Sequence, residues 1–172
     1  MFDGFNATRN YGNRYGGIHR TDSGFTPGDE YVEDFWANNY IAIKNYNIII
    51  ESADNAPGSI AAAVKYIAGE ARLARAVSYL RLARRFGDAY DEATAESALC
   101  VPLVLKYDQE ERPARASVKA VYDQIKADLD IAAEALADDE GEAGAEYFTI
   151  DVVNAMYANY YLDTKNYTKA YT

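Results

Sequence analysis

The segment from Gly69 to Asp88 constrains the fold of this 172-residue chain more than any other part of it. Its apolar residues recur at α-helical spacing along one face, which consists of Leu73, Ala76, Val77, Leu80 and Ala83. A second apolar stripe follows another side of the same helix and consists of Tyr79, Leu82 and Phe86. A helix with two apolar sides packs between two neighbouring elements, as helices do in helical-repeat arrays. The segment therefore predicts the central helix of an all-α domain.

The same periodicity predicts helices over residues 30–53, 60–86, 117–137 and 150–163, packed as antiparallel pairs with little strand. We expect Gly87 to end the second helix in the left-handed conformation that glycine adopts without strain. The connector 88–116 is expected to be irregular apart from a short helix near 92–98. Small and aromatic residues near the C-terminus have the spacing of a tetratricopeptide hairpin, and they are Ala158, Tyr161, Tyr167 and Ala170. The predicted fold class is all-α, with tetratricopeptide-like helix pairs and long irregular loops.

Residues 1–29 differ in composition from the rest of the chain. They are rich in Gly, Asn, Tyr and Thr without a sustained period, which predicts an irregular loop region before a helical domain at 30–172. We interpret the sequence as a piece of a longer protein, because a new helix should begin near its end and no signal peptide opens it. The tyrosine stripe at 157–161 would then lack its natural cover, so we expect this form to self-associate.

Five blocks of residues occur in a fixed order along the chain. The first in sequence has Trp36, Tyr40, Ile43 and Asn47, and the next has Glu70-Ala71-Arg72, Arg75-Ala76 and Phe86-Gly87-Asp88. The third is Val101-Pro102-Leu103-Val104, and the fourth has Ser117, Val121-Tyr122, Ile125, Asp128-Leu129 and Ala132. The fifth has Ala155, Ala158, Tyr161-Leu162, Tyr167 and Ala170. Over residues 30–172 this series resembles the N-terminal tetratricopeptide-like portion of SusD/RagB-like proteins.

The resemblance implies a function and a location. SusD/RagB-like proteins are lipoproteins at the outer-membrane surface that bind glycans and partner a SusC-like TonB-dependent transporter. It implies that this chain captures an oligosaccharide without catalysis and without a cofactor, and that it reaches the membrane only through a lipid anchor outside this sequence. The alternative is a tetratricopeptide-type adaptor that binds a peptide in a concave groove.

The loop from Tyr11 to Gly17 is the candidate binding segment. Tyrosine rings stack on the apolar faces of pyranose rings, and Asn and Arg side chains hydrogen-bond sugar hydroxyls. We therefore assign Tyr11, Asn13 and Tyr15 as candidate ligand-binding residues. A loop without ligand contacts remains the alternative, because tyrosine is abundant throughout this chain.

Composition argues against several other functions. A net charge of −10 disfavours nucleic acid as a partner, since phosphate binding needs a concentrated cationic surface. One histidine, His19, and one cysteine, Cys100, do not supply a metal site, and no catalytic motif accompanies them. The acidic run 138–144 lacks the ligand spacing of a calcium loop. Arg75 is expected to be buried and paired with Glu70 or with a carboxylate on a neighbouring helix.

Overall fold

The computed structural model describes residues 28–138 and 147–171, and most of these residues are helical. The chain divides into two compact units, Met1–Asn38 and Asn39–Thr172. In the described part of the first unit, the carboxylate of Asp29 accepts a hydrogen bond from the backbone N–H of Tyr31 at 3.0 Å. This bond satisfies one of the free donors at the start of a helix. The predicted boundary between residues 29 and 30 stays a prediction.

The described elements follow one another as helices with one interruption. In chain order they are α1 (Glu30–Asp54), a 3₁₀ turn (Gly58–Ile60), α2 (Ala61–Phe86), β1 (Leu99–Pro102), β2 (Arg115–Ser117), α3 (Val118–Ala135), α4 (Ile150–Asp163) and α5 (Tyr167–Tyr171). The four long helices lie within a few residues of the predicted ranges. The prediction of an all-α, tetratricopeptide-like fold is confirmed.

Helix α2 is the central element of the second unit. It is buried on several sides, and its buried apolar residues are Ala68, Ala71, Leu73, Ala74, Ala76, Tyr79, Leu80, Leu82 and Ala83. Contacts of Gly69 with Ala135 and of Arg75 with Asp128 show that α2 and α3 are antiparallel. Because a Cβ at Gly69 would collide with the side chain of Ala135, glycine allows the two helices to approach closely at this point.

Helix α3 is amphipathic and carries the second large part of the core. Its N-cap is Ser117, whose hydroxyl accepts a hydrogen bond from the backbone N–H of Ala120 at 3.1 Å. Its buried apolar residues are Val118, Val121, Tyr122, Ile125, Leu129 and Ala132. Helix α4 runs antiparallel to α3, since the hydroxyls of Tyr157 and Tyr122 reach Asp130 and Asp163 respectively.

The connector between α2 and α3 differs from its prediction in two respects. Residues 92–98 form hydrogen-bonded turns and not the short helix expected there. The connector also contains a small antiparallel ribbon, in which Leu99 is opposite Ser117 and Pro102 is opposite Arg115, with a shift of register between them. Sequence periodicity does not detect strands this short, because an alternating pattern needs more residues than the three or four present.

Gly87 ends α2 for a reason other than the one predicted. Its φ of −97° and ψ of 165° are extended, so the expected left-handed conformation is wrong. Glycine is needed here for space, because a Cβ would lie 2.6 Å from the Sγ of Cys100 and 2.9 Å from the carbonyl oxygen of Ala83. The position thus allows β1 to pass directly over the end of α2.

Candidate functional site

The predicted ligand residues Tyr11, Asn13 and Tyr15 lie outside the described residues, as do His19 and most of the acidic run 138–144. These assignments therefore stay predictions. The described residues form a set of packed helices, here called the frame, which contains a buried polar network and surface depressions lined by polar and aromatic side chains. The buried network contains two charged residues of the sequence blocks, Arg75 and Asp128.

Arg75 and Asp128 form a buried, two-bond ion pair between α2 and α3. The Nε and Nη2 atoms of Arg75 donate to the two carboxylate oxygens of Asp128 at 2.8 and 2.7 Å. Arg75 is 3% exposed and Asp128 is 0% exposed. The prediction that Arg75 pairs with a carboxylate on a neighbouring helix is confirmed. Two parallel charge-assisted bonds fix both the distance and the orientation of the two helices.

The network continues from this ion pair to the connector. The Nη1 of Arg75 donates to the Oδ1 of Asn47 at 2.8 Å, and the Nδ2 of Asn47 donates to the carbonyl oxygen of Val104 at 2.8 Å. The hydroxyl of Tyr79 donates to the same carbonyl oxygen at 2.9 Å and accepts from the backbone N–H of Val104 at 2.8 Å. Side chains from α1 and α2 thus satisfy both backbone groups of Val104 where the β-ribbon has ended.

Glu70, one of the two partners expected for Arg75, bonds elsewhere. Its Oε1 accepts a hydrogen bond from the backbone N–H of Phe148 at 3.1 Å, and it makes no contact with Arg75 within the described residues. Glu70 therefore holds the segment that leads into α4. This role requires the chain after residue 146 to return to the middle of α2, which the spacing of residues along the sequence does not reveal.

Arg84 forms a second two-bond pair, nearer the surface, between α2 and the end of α4. Its Nε and Nη2 donate to the carboxylate of Asp163 at 2.7 and 2.8 Å. The hydroxyl of Tyr122 donates to the same carboxylate at 3.1 Å. The hydrogen bond with Asp163 raises the pKa of Arg84, and burial together with the neighbouring Asp163 charge raises the pKa of Tyr122. Arg84 and Tyr122 therefore both keep their protons across the physiological range.

A surface depression, here called the hairpin groove, lies along α3, α4 and α5. Its volume is about 590 Å³, and it is lined by Lys126, Asn154, Tyr157, Ala158, Tyr161, Lys169, Ala170 and Tyr171. The rings of Tyr157 and Tyr161 are stacked with centroids 6.1 Å apart. The ammonium of Lys126 lies 5.3 Å from the Tyr157 ring and that of Lys169 lies 5.5 Å from the Tyr161 ring. Both distances are within the range of cation–π contacts, so each lysine packs on one of the rings that line the groove.

Metal ligands and the cysteine thiol were the candidates for catalytic chemistry among the described residues. No group of three or more His, Cys, Asp or Glu side chains among them is placed to hold a metal ion. The thiol of Cys100 is buried, and burial raises its pKa, which disfavours the reactive thiolate. In residues 28–138 and 147–171 there is also no helix with the length and apolar character required to cross a bilayer.

Comparison with known proteins identifies the family to which these helices belong. The model of a SusD-like family, described as starch-binding and associating with the outer membrane, matches residues 6–162. The chain belongs to this SusD-like family. The resemblance read from the five sequence blocks is confirmed. Among curated proteins, no relative matches the chain.

Solved structures share the SusD-like fold over most of this chain. A proposed sugar-binding protein from Bacteroides vulgatus is 24% identical with a TM-score of 0.77, and the match covers 91% of this chain and 34% of that protein. A SusD superfamily protein from Bacteroides thetaiotaomicron is 27% identical with a TM-score of 0.68, covering 79% of this chain and 29% of that protein. A laminarin-binding SusD-like protein is 21% identical with a TM-score of 0.65, and the match covers 80% of this chain and 28% of that protein. This chain thus spans about a third of the length of the structures it matches.

The SusD-like sequence blocks meet in the buried network. Consecutive hydrogen bonds join one residue from each of four blocks, and these residues are Asn47, Arg75, Val104 and Asp128. The sequence identified these positions but not their partners, except through the expectation that a buried arginine needs a carboxylate. The lysines of the hairpin groove were missed, because their contacts with Tyr157 and Tyr161 depend on helix registers that only the structure provides.

Proposed function

We propose that the protein carrying this chain captures an oligosaccharide at the outer-membrane surface and passes it to a SusC-like TonB-dependent transporter. The observation that carries this proposal is the match of the SusD-like, starch-binding family over residues 6–162. Capture is non-covalent and leaves the glycan unchanged. Attachment to the membrane is through a lipid anchor, as the resemblance implies.

The arrangement of polar groups supports separate roles for the helices, which maintain the fold, and the loops, which contact the ligand. Four buried side chains bond to one another or to the backbone of Val104, and they are Asn47, Arg75, Tyr79 and Asp128. They hold the helices together, and their burial keeps them out of reach of a ligand. Ligand contacts then come from exposed loops, where aromatic and amide side chains meet sugar rings and hydroxyls. Tyr11, Asn13 and Tyr15 are our proposed contacts of this kind.

The proposal is tested by titrating the purified protein with maltoheptaose and laminarihexaose in a calorimeter. We expect dissociation constants in the micromolar range or weaker, since an exposed sugar site rests on a few contacts. Replacing both Tyr11 and Tyr15 by Ala should weaken binding at least tenfold, which corresponds to about 1.4 kcal/mol. Tyr107→Ala is the matched control, because Tyr107 is 42% exposed on the connector.

Three outcomes would count against this function. If the protein binds no glycan in a broad panel, the proposal of glycan capture is wrong. Shortened oligosaccharides after incubation, detected by chromatography, would make the protein an enzyme. Binding of peptides in place of glycans would favour the adaptor, whose ligand lies in a groove of the helical surface. Co-purification with the transporter from outer membranes tests the partner separately.

A further inference from the structure

A second depression, here called the turn cleft, lies where the chain leaves α2 and where it leaves α4. It is lined by Tyr90, Asp91, Glu92, Ala93, Thr164 and Lys165, and its volume is about 530 Å³. This volume is within the range of small-molecule sites, which is about 300–1,000 Å³. The lining combines one aromatic ring with carboxylates, a hydroxyl and an ammonium group. The cleft shares no lining residue with the hairpin groove.

The Tyr90 ring is held in place by a chain of contacts that leads into the frame. It meets the ring of Tyr122 in edge geometry at 5.1 Å between centroids. Tyr122 is buried and donates its hydroxyl hydrogen bond to Asp163, which is paired with Arg84. Because Asp163 directly precedes Thr164, the same carboxylate positions both walls of the cleft. An aromatic side chain fixed in this way loses little conformational entropy when a ligand binds.

The polar walls of the turn cleft are ordered by local hydrogen bonds. The carboxylate of Asp91 accepts from the backbone N–H of Ala93 at 3.0 Å and from the Nζ of Lys165 at 3.3 Å. Lys165 has a φ of 59°, and the backbone N–H of Asn166 donates to the carbonyl oxygen of Tyr161 at 2.8 Å, which closes the end of α4. The side chains of Lys165 and Asp91 are 56% and 52% exposed, so both can exchange their mutual contact for ligand hydroxyls.

We propose that the turn cleft is a binding subsite for a neutral oligosaccharide, with Tyr90 as the stacking ring and Asp91, Thr164 and Lys165 as hydrogen-bonding groups. Asp91, Glu92 and Lys165 together carry a net charge of −1, which disfavours uronic acids and sulfated glycans by like-charge repulsion. An aromatic ring beside groups that both donate and accept hydrogen bonds suits the apolar face and the hydroxyls of a pyranose. This subsite rests on the proposed function in glycan capture.

The test uses ¹⁵N-labelled protein titrated with maltoheptaose, with laminarihexaose and with an oligogalacturonate. We expect the neutral glycan that binds to shift the backbone amide signals of residues 90–93 and 164–165. Tyr90→Ala should lower the association constant at least fivefold, and Tyr107→Ala should leave it unchanged. Lys165→Gly removes the ammonium group, and glycine adopts a φ near +60° without strain, so the fold should be unchanged. We expect this variant to lower the association constant about twofold.

The possible results distinguish failure of the proposed subsite from failure of the proposed function in glycan capture. If Tyr90→Ala binds the neutral glycan as tightly as the natural protein, and no signal at 90–93 or 164–165 moves, the subsite is wrong while glycan capture stands. Preferential binding of the oligogalacturonate at this cleft would overturn the assigned ligand class. Absence of binding by the natural protein to every glycan would overturn both proposals. Unchanged circular dichroism of Tyr90→Ala establishes that a lost affinity reflects lost contacts.

Discussion

Arg75 and Arg84 offer a direct test of what burial does to an ion pair. Both project from α2, and each donates its Nε and Nη2 hydrogens to the two oxygens of one aspartate at 2.7–2.8 Å. They differ in environment, because the side chain of Arg75 is 4% exposed and that of Arg84 is 41% exposed. Replacing each by Ala removes the same chemical group from the same helix, so the difference in stability measures the environment.

The structure predicts very different costs for the two substitutions. Arg75→Ala leaves the fully buried Asp128 with Gln124 Nε2 at 3.1 Å and a more distant Arg72 guanidinium at 3.9 Å. Breaking a buried pair in this way costs about 3–5 kcal/mol, since one charge stays buried without its partner. In Arg84→Ala the partly exposed Asp163 is hydrated, and the loss is about 0.2–1 kcal/mol. We therefore expect a difference of about 2–4 kcal/mol in the free energy of unfolding.

The measurement is urea unfolding followed by circular dichroism at 222 nm, with the free energy taken from the midpoint and slope of each curve. The double variant Arg75→Met with Asp128→Leu should recover most of the lost stability, because the cost lies in the unpaired charge and not in the absence of the pair. The free energy of unfolding of Arg75→Lys should lie between those of the natural protein and Arg75→Ala, since lysine keeps the charge but not the two-bond geometry. Equal losses for Arg75→Ala and Arg84→Ala, or a double variant no more stable than Arg75→Ala, would refute this reasoning.

Four further predictions concern the packing, the chemistry and the association of the protein. Gly69→Ala should destabilise the protein by about 1–3 kcal/mol in the same urea assay, because the new methyl group meets Ala135 across the helix pair. Tyr79→Phe should cost about 1–3 kcal/mol by leaving the backbone N–H of Val104 without its acceptor. Burial raises the pKa of Tyr79 to about 12, whereas the unfolded side chain ionises near pH 10, so unfolding releases a proton and stability should fall as pH rises from 10 to 12. Sedimentation velocity should show self-association through the hairpin groove, where Tyr171 is 96% exposed, and a monomer at high concentration would contradict it.

The helices were predictable from sequence because their signals are long and local. In α2 the two apolar stripes around Leu73 and Tyr79 span several turns, so the period is unambiguous and the burial follows from it. The burial of Arg75 was predictable for the same reason, since it lies beside the second stripe. Its need for a carboxylate then follows from the cost of burying a charge. The choice of Asp128 over Glu70 was not predictable, because it depends on how α3 is aligned against α2.

The β-ribbon and the reason for Gly87 could not be obtained from local signals. Strands of three and four residues carry too few positions to show alternation, and their pairing joins residues separated by the loop between them. Gly87 was correctly identified as the end of α2, but its extended backbone serves the close passage of Cys100 and not a left-handed cap. A glycine at a helix end therefore has two physical explanations, and only the neighbouring chain distinguishes them.

The buried network also explains why a family match identifies the frame more firmly than the ligand. Asn47, Arg75 and Asp128 come from different sequence blocks, and their polar contacts are with one another, with Gln124 and Arg72, and with Val104. Side chains with these roles fix the fold whatever glycan is bound, so a sequence can retain them while its ligand changes. Under the proposed function, we expect specificity to reside in exposed groups that the frame positions, such as Tyr90 beyond Tyr122 and Asp163. It follows that exchanging loop residues between SusD-like proteins should transfer glycan preference, whereas exchanging residues of the network should alter stability alone.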